Sequence, residues 1–163
     1  MTQRLIQRQN ERQDFETPPG LVADLAKEFG PFQIDFAATE ANKKAPRCFT
    51  PEQDSLKQDW TGLTGFLNPP YGRMIGPFVK KASESKAKTT CLLPARTDTK
   101  WFHAHIWDAE NHRPRPNIVA FRLLKGRVKF LIDGKSVLDK KGKPAGGKFP
   151  SMVVVFDNLE KYP

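Results

Sequence analysis

Asn68-Pro69-Pro70-Tyr71 is the stretch whose residue types, in this order, could carry a reaction. Asn68 offers a side-chain carbonyl, Pro69 a backbone carbonyl that no local ladder must use, and Tyr71 a flat face with a polar tip. Two consecutive prolines lack the donors a central strand needs, and they hold the backbone stiff. An aryl amine is a weak nucleophile because its lone pair is delocalised into the ring. Two acceptors gripping its N–H bonds favour a tetrahedral nitrogen and localise that pair. They also stabilise the positive charge that develops during attack, the logic of an oxyanion hole with the sign reversed. An aromatic face beside them would hold a flipped nucleobase in a stack. A proline-stiffened turn without chemistry is the competing reading of these four residues.

Such a loop needs a rigid platform, and the flanking pattern supplies one. Gly65-Phe66-Leu67 reads as a brief strand running straight into Asn68, which puts the tetrapeptide at a strand's carboxyl end, where open α/β sheets place ligands. Upstream, Thr17 is placed to cap a helix whose first turn carries Pro18 and Pro19. Leu21, Val22, Leu25, Ala26 and Phe29 form its apolar face, and Gly30-Pro31 stops it. A strand is expected over 32–38, ending at the acid Asp35, and a short helical turn over 56–60. Downstream come a helix over 76–88 and a buried apolar strand over 89–94. A helix capped by Asp98 then carries Trp101, Phe102, His105, Ile106 and Trp107. Further strands are expected over 118–121, 128–132 and 152–156, and the Gly- and Lys-rich segment 133–150 is most simply a mobile hairpin loop. Strands alternating with helices and then closing strands predict an α/β fold with a central mixed sheet and an antiparallel C-terminal edge.

The 163 residues suit one domain, expected over 15–163, behind a polar arm over 1–14 carrying Arg4, Arg8 and Arg12. A chain of this length buries roughly 70% of its unfolded surface and needs neither disulfide nor metal as a staple. Cys48 and Cys91 make no disulfide framework and no ligand cluster, and Cys91 sits in an apolar run as a small buried thiol. His103, His105 and His112 show no metal-ligand spacing. No apolar run is long enough to span a membrane and the first twelve residues lack a signal-peptide core, so a cytoplasmic protein is expected. A net charge of +9 favours a polyanionic partner, because each neutralised phosphate releases condensed counterions.

Several ordered motifs are more specific than one tetrapeptide. Phe15-Glu16-Thr17-Pro18, Asp35-Phe36-Ala37-Ala38, Asp54-Ser55-Leu56, Trp60, Asn68-Pro69-Pro70-Tyr71, Leu93-Pro94-Ala95-Arg96-Thr97, Trp101-Phe102 and Gly126-Arg127-Val128-Lys129-Phe130 follow one another through most of the chain. Taken together, they resemble the phage-type DNA N6-adenine methyltransferases, the small Dam-like family. The resemblance implies a reduced Rossmann-like fold that binds S-adenosylmethionine. It also implies direct in-line transfer of the methyl group to the N6 amine of adenine in DNA, without a covalent enzyme intermediate or a metal.

By that likeness Phe15, Thr17, Pro18, Asp35, Ala37 and Asp54 line the cofactor, with Asp35 near its charged amino acid moiety and Asp54 near its adenine. Asn68, Pro69, Pro70 and Tyr71 form the catalytic loop. A carboxylate at Asp35 would offset the cofactor's ammonium and sulfonium charges. One departure is the lack of glycines after Asp35, where Phe36-Ala37-Ala38-Thr39 stand instead. For DNA, Arg96 and Lys100 lie just beyond a strand end, and Arg127 and Lys129 open a basic stretch that continues through Lys140, Lys141, Lys143 and Lys148. Competing readings are methylation of another planar amine, a cytosine amine or a protein glutamine amide, and a basic DNA-binding module with a degenerate cofactor site. Oligomeric state is not legible.

Overall fold

The computed structural model describes residues 15–160, so the arm expected over 1–14 lies outside them. A six-stranded sheet runs in the order β2-β1-β3-β4-β10-β7. Its parallel half holds β1 (Ile34–Asp35), β2 (Arg47–Cys48), β3 (Thr64–Leu67) and β4 (Lys88–Pro94). Its antiparallel half adds β10 (Ser151–Asp157) and β7 (Ile118–Leu123). Within that half the last strand is not outermost: β10 is inserted between β4 and β7, with Val154 opposite both Cys91 and Phe121. The reason is written in its residues. Met152 through Phe156 are all fully buried, as a strand covered on both faces must be, whereas β7 exposes Val119 and Leu123 and takes the edge.

Helix α1 (Pro19–Phe29) begins with Pro18 at its N-cap and Val22, Leu25 and Phe29 turned inward. Helix α2 (Ile75–Glu84) makes the crossover from β3 to β4 and buries Ile75, Phe78, Val79 and Ala82. It is shorter than the 76–88 expected, because Ser85 turns extended so that Lys88 can open β4. The Asn158 side chain donates from Nδ2 to the carbonyls of Ser83 (3.1 Å) and Ser85 (3.0 Å), satisfying acceptors that the helix end leaves free. Helix α3 (Lys100–His105) is capped by Thr99, not Asp98: the Thr99 hydroxyl accepts from the Phe102 N–H. Trp107 lies beyond it, in the small ladder of β5 (Trp107–Asp108) with β6 (Arg113–Pro114).

The sheet's centre tolerates no side chain at Gly65. A Cβ there would lie 2.5 Å from Phe36 Cε2 and 2.6 Å from the Ile34 carbonyl oxygen, so β1 and β3 can approach as they do only with glycine. Phe36 in turn stacks on Trp60 with ring centroids 4.0 Å apart, and the Trp60 indole donates to the Ser55 carbonyl at 3.0 Å. That bond pins the two 3-10 turns, Pro51–Gln53 and Ser55–Lys57, against the sheet's rim.

The strand expected over 128–132 is confined to β8 (Leu131–Ile132), which leaves the central sheet and pairs with β9 (Lys135–Ser136). Asp133 and Gly134 both take positive φ (50° and 72°), the conformation of the two-residue turn whose twist matches that of the strands. A second reversal is held by Asp139 Oδ1, which accepts from Lys141 N (2.8 Å) and Lys143 N (3.0 Å). The segment is therefore two hydrogen-bonded hairpins. Glu16 and Leu131 exchange a pair of backbone bonds at 2.9 Å, which docks the first hairpin onto the chain just ahead of α1.

Candidate active site

Because β1 and β3 run parallel, Asp35 and Asn68 leave the sheet at the same rim. A cavity of about 280 Å³ opens there. Phe15, Thr17, Asp35, Ala37 and Asp54 all line it, together with Asn68 and Pro70. Pro18 does not: it sits at the start of α1, where its carbonyl accepts from Leu21 and Val22.

Asp35 is almost completely buried. Its Oδ1 accepts from the Ala37 N–H at 3.2 Å and its Oδ2 from the Lys44 N–H at 3.0 Å. Burial pushes its pKa up to about 7, and the two backbone bonds and the Lys44 charge offset that only in part. The backbone after Asp35 comes close to the cavity without glycine, since Ala37 and Ala38 both border it. Asp54 is more exposed, in the left-handed region at φ 52°, with Lys57 Nζ 3.7 Å from its Oδ2. Lys44 is a wall residue that local pattern did not reveal. Its Nζ lies 3.9 Å from Glu16 Oε2, and Glu16 Oε1 accepts from the Gly134 N–H of the hairpin turn at 3.3 Å.

The Asn68 amide is held in one orientation. Its Nδ2 donates to the Phe15 carbonyl at 2.8 Å and to the Thr17 hydroxyl at 3.1 Å. A peptide carbonyl can only accept, so the nitrogen and not the oxygen must face it. Asn68 Oδ1 is consequently left buried with no hydrogen-bond partner, as is the Tyr71 hydroxyl. Other buried oxygens also lack a partner, Thr89 and Thr90 of β4 among them, but Asn68 lines the cavity with its nitrogen tied down.

A second cavity, about 410 Å³, lies on the other side of the loop and includes Phe15, Tyr71, Arg96, Phe130 and Phe149 in its wall. Tyr71 meets Phe149 edge-on at 4.9 Å and Phe130 at 6.1 Å, and the Arg96 guanidinium lies 5.7 Å from the Phe149 ring centre. Burial raises the Tyr71 phenol well above its usual range, so it stays protonated. Phe15 borders both cavities. Pro69 is buried and borders neither.

Among the basic candidates, Arg96, Lys100, Arg127 and Lys129 are all exposed. Arg96 reaches the second cavity, and the Arg127 stem packs against Gly146, itself part of that wall. Lys100 and Lys129 border neither cavity. Arg127 and Lys129 alternate with buried Val128 and Phe130, so one short extended segment presents charge outward and an aromatic inward. Phe149 had one visible signal, an aromatic residue standing alone just after Gly146-Gly147-Lys148.

The histidines and cysteines have ordinary places. His103 Nε2 is 2.7 Å from the Thr97 carbonyl oxygen, His105 Nδ1 is 3.3 Å from Ser83 Oγ, and both cysteines are buried and free. Among the described residues no group of three His, Cys, Asp or Glu side chains is placed to hold a metal ion, and no helix is long and apolar enough to cross a membrane.

A family model described as DNA N-6-adenine-methyltransferase (Dam) matches residues 6–162. The chain belongs to this family. Two relatives carry the name DNA N-6-adenine-methyltransferase. The one from Escherichia phage T1 is 37% identical over 92 residues, 54% of this chain and 38% of its own length. The other, from Haemophilus phage HP1 (strain HP1c1), is 37% identical over 83 residues, 48% of this chain and 47% of its own length. The matched segment thus spans less than half of each of these Dam relatives.

Proposed function

We propose that this Dam-family chain transfers the methyl group of S-adenosylmethionine to the exocyclic N6 amine of adenine in DNA, by direct in-line attack of the amine nitrogen. The observation that carries the reading is the buried Asn68 Oδ1, without a protein partner, on a side chain that lines the first cavity three residues before Tyr71 in the wall of the second. The first cavity suits the cofactor: a buried carboxylate for a cationic end, and the rings of Phe15, Phe49 and Phe78 for flat or apolar parts. When bound, the cofactor supplies an electrophilic methyl on a positive sulfur.

The chain's own residues do the rest. Asn68 Oδ1 accepts an N–H of the amine and draws its lone pair out of conjugation, while Pro69, buried and bordering neither cavity, stiffens the loop behind it. As the new C–N bond forms and the methyl–sulfur bond breaks, its electron pair leaving with a now neutral thioether, positive charge grows on a nitrogen facing an acceptor that no protein donor has quenched. The nitrogen afterwards gives a proton to water. Tyr71, Phe130 and Phe149 hold the base out of the helix stack, and Phe15, common to both walls, marks where base and cofactor meet. Arg96, Lys100, Arg127 and Lys129 take phosphates, which are met sequence-independently. This reading makes the sheet a reduced Rossmann-like one in a single domain over 15–163, working where DNA is, in a bacterial or phage-infected cytoplasm.

The test is methyl transfer from radiolabelled S-adenosylmethionine. Label is expected in adenine-containing DNA, and not in DNA lacking adenine or in a glutamine peptide. Asn68→Ala should lower the rate by about 100-fold or more, the range seen when one transition-state hydrogen bond is removed, with cofactor affinity nearly unchanged. Wild-type turnover in that variant would refute the assignment.

A further inference from the structure

We infer that Thr17 is a positioning residue for Asn68: the Phe15 carbonyl selects the amide face, and the Thr17 hydroxyl, taking the second N–H, locks the plane that aims Oδ1 at the reacting amine. The inference rests on the proposed function and goes beyond it, since Thr17 acts here through another side chain and not through the cofactor.

Thr17 is 1% exposed and stands directly ahead of the two prolines that open α1. A threonine in that place ordinarily caps its own helix, yet α1 starts without any side-chain cap. The hydroxyl instead lies 3.1 Å from Asn68 Nδ2, across 51 residues of chain. An asparagine amide has two N–H bonds, and the Phe15 carbonyl at 2.8 Å takes only one of them. With one bond alone the amide plane still pivots about that contact. The second acceptor removes the pivot, and Oδ1 is then aimed by elimination.

The acceptors are themselves held. Glu16, between them, exchanges two backbone bonds with Leu131, and its carboxylate contacts both Lys44 and Gly134. Residues 15–17 therefore form a stiff bracket. Its peptide carbonyl and hydroxyl present oxygens to Asn68 from the cavity wall. An aspartate at position 68 would set a carboxylate oxygen against the Phe15 carbonyl, so the bracket also accounts for asparagine at this place.

Thr17→Val keeps the shape and removes the oxygen; Thr17→Ser keeps the oxygen and removes the methyl. In single-turnover transfer to adenine-containing duplex, Thr17→Val is expected to be slowed about tenfold, with the Kd for S-adenosylmethionine and the KM for DNA within twofold of wild type. Thr17→Ser is expected within twofold of wild type throughout. A second readout needs no turnover: the Asn68 side-chain amide protons, assigned against Asn68→Ala, should exchange with water faster in Thr17→Val than in wild type. Full rate and unchanged exchange in Thr17→Val overturn the inference, and so does a loss of cofactor affinity that matches the loss of rate. Should Thr17→Val not fold, a slowed Thr17→Ser overturns it as well, by putting the methyl and not the hydroxyl in charge. If wild type itself moves no label to adenine, the proposed function falls; if wild type and Thr17→Val are equally fast, that function stands and only the positioning role falls.

Discussion

Asp35 offers the sharpest quantitative handle on the cofactor reading. Its pKa rises from an ordinary 3.8 to about 7, because burial penalises the ionised form more than the Ala37 and Lys44 N–H groups reward it. The titratable groups facing it are the Lys44 ammonium, which Glu16 shares, and the Cys48 thiol, which burial keeps neutral. For the free protein the sign runs one way. The folded state keeps a proton that the unfolded chain loses near pH 4. The stability tied to Asp35 is therefore complete below that point, is lost as pH rises to about 7, and is flat above. A shift of about three units corresponds to about 4 kcal/mol across the window.

Binding reverses the preference. A cationic amino acid end requires the carboxylate, so the apparent Kd is the intrinsic value multiplied by 1 + 10^(pKa − pH), and each pH unit below 7 weakens binding about tenfold, or ~1.4 kcal/mol. Between pH 7.5 and pH 5 the loss reaches roughly two orders of magnitude. The upper limit keeps clear of the ligand's own α-amino group, which titrates at about 7.7–8.0. Calorimetry at pH 6 in two buffers of different ionisation heat should report close to one proton released per cofactor bound. Asp35→Asn should bind weakly and with no such slope. A wild-type Kd that moves less than threefold over this range, or a slope that survives in Asp35→Asn, would refute the reasoning.

Two further outcomes concern the fold and the DNA surface. Gly65→Ala places a methyl 2.5 Å from Phe36 and 2.6 Å from the Ile34 carbonyl oxygen, so thermal melting should show a loss of about 1–3 kcal/mol or more, several degrees in Tm. An unchanged Tm would mean that β1 and β3 are not as close as described. Arg127→Ala and Lys129→Ala should each weaken DNA binding and reduce the slope of log K against log salt by about one, if phosphates are their partners. A salt slope identical to wild type in both variants would remove this face from the DNA interface.

What was legible in the chain was whatever one element decides alone. The prolines of the catalytic loop had to end β3, and Met152 to Phe156 had to be a strand, but its place inside the sheet and not at the expected antiparallel edge came only with its pairing to both β4 and β7. Charge told that a polyanion is a fitting partner, but not that Arg96 and Arg127 would flank one aromatic cavity while Lys100 and Lys129 stand apart from it. The Asp133-Gly134 turn was written locally too, yet the lysines and glycines around it read as loop, and only the bonds of Glu16 to Leu131 show where the hairpin docks.

The partners of a side chain are a different kind of information. Thr17 is a good helix cap by every local rule, and its hydroxyl went instead to a nitrogen 51 residues away. Nothing within several residues of Thr17 or Asn68 encodes that choice; it is made when β3 and the start of α1 arrive at one rim. The same convergence explains why the Phe15-Glu16-Thr17 segment does three jobs with three consecutive residues. Its carbonyl and hydroxyl orient the amide, its carboxylate joins Lys44 to the hairpin, and its ring lines both cavities. A tripeptide so employed has little freedom to vary in type, although none of its members needs to touch the reacting atoms.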